Sequence, residues 1–153
     1  MRPRVIYGSR AQVFRAQLGY GTCLLVHAGN RLTSVDNLGR VYEQGWWSLR
    51  VEMASWRVRR GDRVLIGGMD DRDSIDPVLG QLRGRIVRET QVSATGDCTT
   101  ILDHQFVIEV VVDSAQVEEP WVLCTSPARM HTIRPRRPIT ATSEDKGKGR
   151  ARP

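Results

Sequence analysis

The chain has 153 residues, 40% of them hydrophobic and 26% charged, with 23 basic against 17 acidic side chains. That is the composition of a soluble globular protein with a real core. It excludes a low-complexity chain, and no apolar run approaches the roughly 18–20 residues of a membrane helix. The net charge of +6 is unevenly placed: residues 127–153 carry eight basic and two acidic side chains, while residues 1–126 hold fifteen of each.

The opening MRPRVIYGSR lacks the apolar core of a signal peptide, so a cytoplasmic protein is expected. RAQVFRAQL (10–18) has adjacent Val13 and Phe14 and reads as a strand. TCLLVHAG (22–29) is an apolar run that Gly29 and Asn30 should end in a turn. SVDNLGRVYEQG is a turn-rich strip expected to hold a short strand over 40–43. WWSLRVEM (46–53) has a two-residue period, with Trp47, Leu49, Val51 and Met53 on one face.

In WRVRRGDRVLI (56–66), Trp56 and Val58 face inward and Arg57 and Arg59 outward. Gly61 and Asp62 supply a tight turn, and Val64 and Ile66 are expected to return to the core. MDDRDSIDP (69–77) reads as an acidic loop closed by Pro77, and LRGRIV (82–87) as a strand with Leu82, Gly84 and Ile86 on one face. TGDC (95–98) is a turn. TTILDHQFVIEVVVD (99–113) is the strongest strand expected, with Leu102, Phe106, Ile108, Val110 and Val112 inward. WVLCT (121–125) follows a Glu-Glu-Pro breaker as a last strand.

No stretch shows a sustained helical period. Short strands and frequent turns therefore predict an all-β fold, a small antiparallel β-barrel or sandwich. The expected domain spans 1–126. Residues 127–153, rich in Pro, Gly, Arg and Lys, are expected to form an extended basic arm, flexible or ordered on a partner.

Chemistry-bearing constellations are weak. Cys23, Cys98 and Cys124 are odd in number and widely spaced, which fits neither a disulfide framework nor a zinc site. The acidic run 70–76 fails the calcium-loop pattern: counted from Asp71, the sixth position is Asp76 instead of glycine and the twelfth is Leu82 instead of glutamate. His27, His104 and His131 are scattered, and His104 falls on the apolar register, as a core or interface histidine would. No nucleophile elbow or phosphate loop is present. The expectation is a non-enzyme with no cofactor and no metal.

Trp46 and Trp56, near Arg50, Arg57, Arg59 and Arg60, suggest stacking platforms for single-stranded nucleic acid. The competing reading puts Trp47 and Trp56 in the core and leaves Trp46 partly exposed or at an interface. The candidate subunit or DNA contacts are Trp46, Arg57, Arg59, Arg134, Arg136, Arg137, Lys146, Lys148 and Arg150. The basic arm could touch phosphates or an acidic protein surface.

The pieces SLRVEM (48–53), WRVRRGDRVLI (56–66), DPVLGQLRGRIV (76–87) and FVIEVV (106–111) together resemble the head–tail connector, or stopper, proteins of long-tailed phages that infect actinobacteria. PRVIYGSRAQVFRA (3–16) is similar to the first strand of such proteins. The resemblance implies a structural virion protein, made in the host cytoplasm. Copies of it would form a homo-oligomeric ring between portal or adaptor and tail proteins, around a channel for packaged DNA, with no membrane partner. Residues 22–45 and the basic extension depart from that pattern. GNRLTSVDNLGRVYEQG (29–45), followed by RRGDRVLI (59–66), also resembles the soluble OB domain of NfeD-like proteins. The alternative function, from another class, is an OB-type nucleic-acid-binding module using Trp46, Trp56 and the arginines.

Overall fold

The computed structural model describes residues 3–112, 120–125 and 132–133. Eleven strands and one helix follow in order: β1 (Pro3–Gly8), β2 (Val13–Leu18), β3 (Leu24–Val35), β4 (Val41–Val51), β5 (Ser55–Arg60), β6 (Arg63–Gly67), α1 (Arg72–Leu82), β7 (Val87–Ser93), β8 (Cys98–Leu102), β9 (Phe106–Val111), β10 (Trp121–Cys124) and β11 (Thr132–Ile133). They form two antiparallel sheets, ordered β1-β7-β8-β9-β5-β6 and β11-β10-β4-β3-β2. The fold is all-β, as expected, but it is a sandwich and not a closed barrel. One isolated bridge, Gln12 to Ile86, joins the sheets at a corner.

The inward faces share one apolar core. Leu24, Val26, Trp47, Leu49 and Val51 come from the second sheet, and Trp56, Val58, Ile108 and Val110 from the first. Each set alternates along its strand, the period that places one residue in two on a sheet face. Thr90 and Thr100, fully buried within this core, hydrogen-bond each other at 3.0 Å.

Several expectations are corrected, each for a local reason. Gly29 and Asn30 do not end a strand. Gly29 takes φ +83° in a β-bulge, where the β3–β4 register slips between Ala28 and Arg31, and β3 runs on to Val35. The short strand at 40–43 is the start of β4, which continues through Gly45 into the tryptophan pair. Met53 leaves the core face because β4 stops at Val51. The amides of Glu52 and Met53 both donate to the Pro120 carbonyl, and Met53 is 61% exposed. Gly61 and Asp62 do join β5 to β6, yet Val64 is exposed. A bulge pairs Val58 with Ile66 but Arg59 with Val64, so one extra residue turns Val64 outward.

The acidic loop and the 82–87 strand are both replaced by α1 and its exit. Asp71 stands at the helix N-cap, and Ile75, Leu79 and Leu82 bury one face at i, i+4 and i+7. Pro77 sits inside the helix, where its missing N–H leaves one carbonyl without its usual donor. Gly84, at φ +88°, turns the chain out of the helix, and β7 begins only at Val87.

The 99–113 segment is two strands. Asp103–Gln105 form a turn in which His104 and Gln105 adopt φ of 57° and 69°, and β8 folds back on β9. His104 is therefore exposed on a turn beside Asp103, and not on a core face. At the far edge, β11 pairs with β10, so Thr132 and Ile133 of the expected arm join the sheet.

Candidate functional site

Trp46 lies where the β3 bulge meets Gly45. Alternation along β4 turns Trp46 outward, 37% exposed, while Trp47 stays in the core at 3%. A Cβ on Gly29 would stand 3.0 Å from the Trp46 Cβ and 3.2 Å from its Cε3, so the indole rests against bare backbone. Exposed Trp46 and buried Trp47 and Trp56 match the second reading of the tryptophans.

Arg57 and Arg59 lie on the outward face of β5, as expected. Both bind one carboxylate on the neighbouring strand: Arg57 Nε to Glu109 Oε1 at 2.6 Å and Arg59 Nε to Glu109 Oε2 at 3.1 Å. Partial burial pushes the Glu109 carboxyl up, and the hydrogen bonds from the two guanidiniums more than reverse it, holding it below the usual range. Arg60 donates to the His104 carbonyl at 3.2 Å and covers the Phe106 ring at 4.9 Å. Arg50 pairs with Glu52 at 3.4 Å. Trp56 is buried, with its indole N–H on the Thr22 carbonyl at 2.8 Å. The structure does not bring Trp46, Trp56 and these arginines into one platform. Arg134, Arg136, Arg137, Lys146, Lys148 and Arg150 lie outside the described residues, as does His131.

A different set does come together around Trp46. Segment 8–14 and the β3 bulge form a cleft of about 690 Å³ whose lining includes Arg10, Phe14, Asn30, Arg31 and Trp46. A neighbouring cleft of about 270 Å³ shares Phe14 and Arg31 and adds Arg15 and Arg83. The Arg31 guanidinium covers the Phe14 ring at 4.5 Å, and Arg15 approaches the same ring at 5.7 Å. Sequence reading missed this set because Arg10, Arg31 and Trp46 are far apart in the chain. The Gly29-Asn30 pair that builds the cleft looked like a turn.

His27 braces the same junction. Its ring stacks on Phe14 at 6.1 Å, and its Nδ1 accepts the Gly45 N–H at 3.0 Å, which requires a neutral ring. Burial, and secondarily the charge of Arg15, push its pKa from 6.5 down to about 4. The unfolded chain therefore takes up this proton first as pH falls. The contribution of His27 is complete above about pH 6.5 and is lost between 6.5 and 4. Solvent screening at the half-buried ring limits the effect to about 1–2 kcal/mol. Urea midpoints are expected to fall from pH 7 to pH 4.5, and His27→Gln should flatten that slope. An unchanged slope in the variant would assign the pH dependence elsewhere. The carboxyls of Asp36 and Glu109, held below their usual range, lose their contributions only at lower pH.

At two of the three cysteines burial disfavours the reactive thiolate. Burial drives Cys98 up to about 12 and also raises Cys23. Among the described residues, no three His, Cys, Asp or Glu side chains are grouped to hold a metal ion, and no helix is long and apolar enough to cross a membrane. The fold and cleft define a two-sheet β-sandwich with a basic, aromatic-lined notch at its open corner. No family model, curated protein or solved structure matches the chain.

Proposed function

We propose that the chain is a structural assembly protein, the subunit of a homo-oligomeric ring that joins head to tail in a phage particle. One observation carries this reading. Beyond the Gly29 bulge, β3 and β4 continue as a hairpin over residues 31–45 whose side chains are mostly exposed. At its end Val35, Leu38 and Val41 are 62%, 76% and 69% exposed, and Tyr42 beside them is 44% exposed. Apolar side chains on a projecting arm mark an interaction surface.

The arm is stiff up to its tip. Pairing continues to Val35 and Val41, and Asp36 closes the turn. Its Oδ1 accepts the amides of Leu38 and Arg40, both at 2.9 Å, and its Oδ2 meets Arg40 Nε at 2.7 Å. The amide of Arg40, foremost among these contacts, holds the Asp36 carboxyl low. A preorganised arm loses little entropy on docking. A neighbouring copy is the partner proposed, because one arm inserted into the next subunit is a heterologous contact of the kind that closes rings.

Substituting Leu38→Asp together with Val41→Lys is expected to convert oligomer to monomer in light scattering or native mass measurement. The melting temperature should move by less than about 2 °C, since both positions are exposed. If the wild-type protein is monomeric alone and fails to join purified heads or tails, the assembly reading is wrong.

A further inference from the structure

We propose that the notch between segment 8–14 and the β3 bulge binds a single strand of nucleic acid, with phosphates on Arg10 and Arg31 and a base stacked on Trp46. The inference does not depend on ring assembly. It rests first on charge. The two adjoining clefts are lined by Arg10, Arg15, Arg31 and Arg83, and no carboxylate belongs to either lining. Glu43 reaches Arg15 and Arg31 from outside, at 3.5 and 3.6 Å, and Arg31 remains 57% exposed. By contrast, the larger groove on the outer face of the second sheet balances Arg40 and Arg50 with Asp36 and Glu52, which pair with them at 2.7 and 3.4 Å. Among these cavities the notch alone carries an excess of one sign, with four arginines against the single bordering carboxylate of Glu43.

Shape favours a single strand. The clefts share Phe14 and Arg31, so they adjoin as one concave track. A concave track admits a single strand, whereas a duplex presents its phosphates on a convex surface. The notch also offers an aromatic surface. Trp46 is held against Gly29 backbone with part of its surface open, and a fixed, partly exposed indole is a sequence-tolerant stacking platform. The guanidinium of Arg31 already lies over the Phe14 ring, 4.5 Å from its centroid, which limits the ordering it needs on binding. An acidic peptide would use the arginines but gain little from the indole. This is why a nucleic acid strand is the better fit.

The test uses the full chain and a twelve-residue oligothymidylate. Tryptophan emission is followed through a salt series, with poly-glutamate as the competing polyanion. The wild-type protein is expected to bind with quenching, and Trp46→Ala should abolish the quenching and weaken binding about fivefold or more. Arg10→Ala and Arg31→Ala should each lower the slope of log affinity against log salt by about 0.7, the value of one lost single-strand phosphate contact. Arg10 is exposed, so its variant remains decisive even if Trp46→Ala folds poorly. Basic residues outside the notch contribute equally to every variant and cancel in the comparison. Unchanged slopes in both arginine variants would overturn the proposal, as would an absence of binding at 50 mM salt. So would quenching by poly-glutamate equal to that by the oligonucleotide, which would assign the notch to an acidic protein partner.

Discussion

Replacing Trp121 by alanine is expected to remove about 4 kcal/mol of unfolding free energy and to lower the melting temperature by about 10 °C or more. Trp121 is fully buried at the head of β10, beside Val51. Its indole N–H donates to the Gly96 carbonyl at 2.8 Å. Gly96 lies in the turn between β7 and β8, so this one side chain ties the second sheet to the first. Alanine would leave a cavity and a buried carbonyl without a donor, and both costs add. Phenylalanine would keep most of the volume and lose only the hydrogen bond, costing about 1–2 kcal/mol. Urea unfolding of the two variants separates the contributions. A loss below about 1 kcal/mol for alanine would mean that the two sheets do not close around this ring.

How much of this could be read from the sequence depended on whether the local signal was also the one that tertiary contacts used. The hairpin of β5 and β6 was legible because Gly61, at φ +59°, does what glycine in a turn is expected to do. The turn at 103–105 was not. Three residues separate Leu102 from Phe106, so the two-residue period keeps its phase across the turn and β8 and β9 look like one strand. Neither glycine nor proline marks the reversal; His104 and Gln105 take the left-handed conformation instead. The helix α1 was hidden by Pro77 and by four aspartates, which read as a loop. Only three residues, Ile75, Leu79 and Leu82, carry its apolar face. Tertiary packing against β2 and β6 stabilises a helix whose own propensity is poor.

The candidate site divides in the same way. Trp46 as an exposed ring and Arg57 and Arg59 as an outer face follow from alternation alone. Their electrostatic role does not, because Glu109 is 52 residues from Arg57 in sequence and opposite it in the sheet. A charge cluster in sequence became a compensated surface, while Arg10, Arg15, Arg31 and Arg83, scattered in sequence, became the notch. Net charge over 1–126 is zero, and that balance conceals a local excess of one sign.

The notch and the projecting hairpin both hang on Gly45, so Gly45→Ala is the sharpest test of the architecture. A Cβ at this position would stand 2.6 Å from both the N and the O of Ala28 and 2.7 Å from the O of Trp47. All three are backbone atoms of paired strands, so none can rotate away as a side-chain end would. β3 and β4 would have to separate at the bulge, which also breaks the Gly45 N–H bond to His27. The expected cost is about 3 kcal/mol or more, at the upper end for an overpacked site. Trp46 should move with the strand, so its emission should change in the folded variant. Gly80→Ala is the matching control: beyond its chain neighbours and its own helix backbone no atom lies within 4 Å of its Cβ position, and the residue is inside α1, where alanine should stabilise by about 0.5–1 kcal/mol. The two substitutions add the same methyl group, so opposite shifts in the urea midpoint measure the close approach at Gly45 and nothing else. Equal shifts would mean that the strands at the bulge are not held at this distance, and the hairpin would then lack the fixed base that both the proposed docking and the proposed notch require.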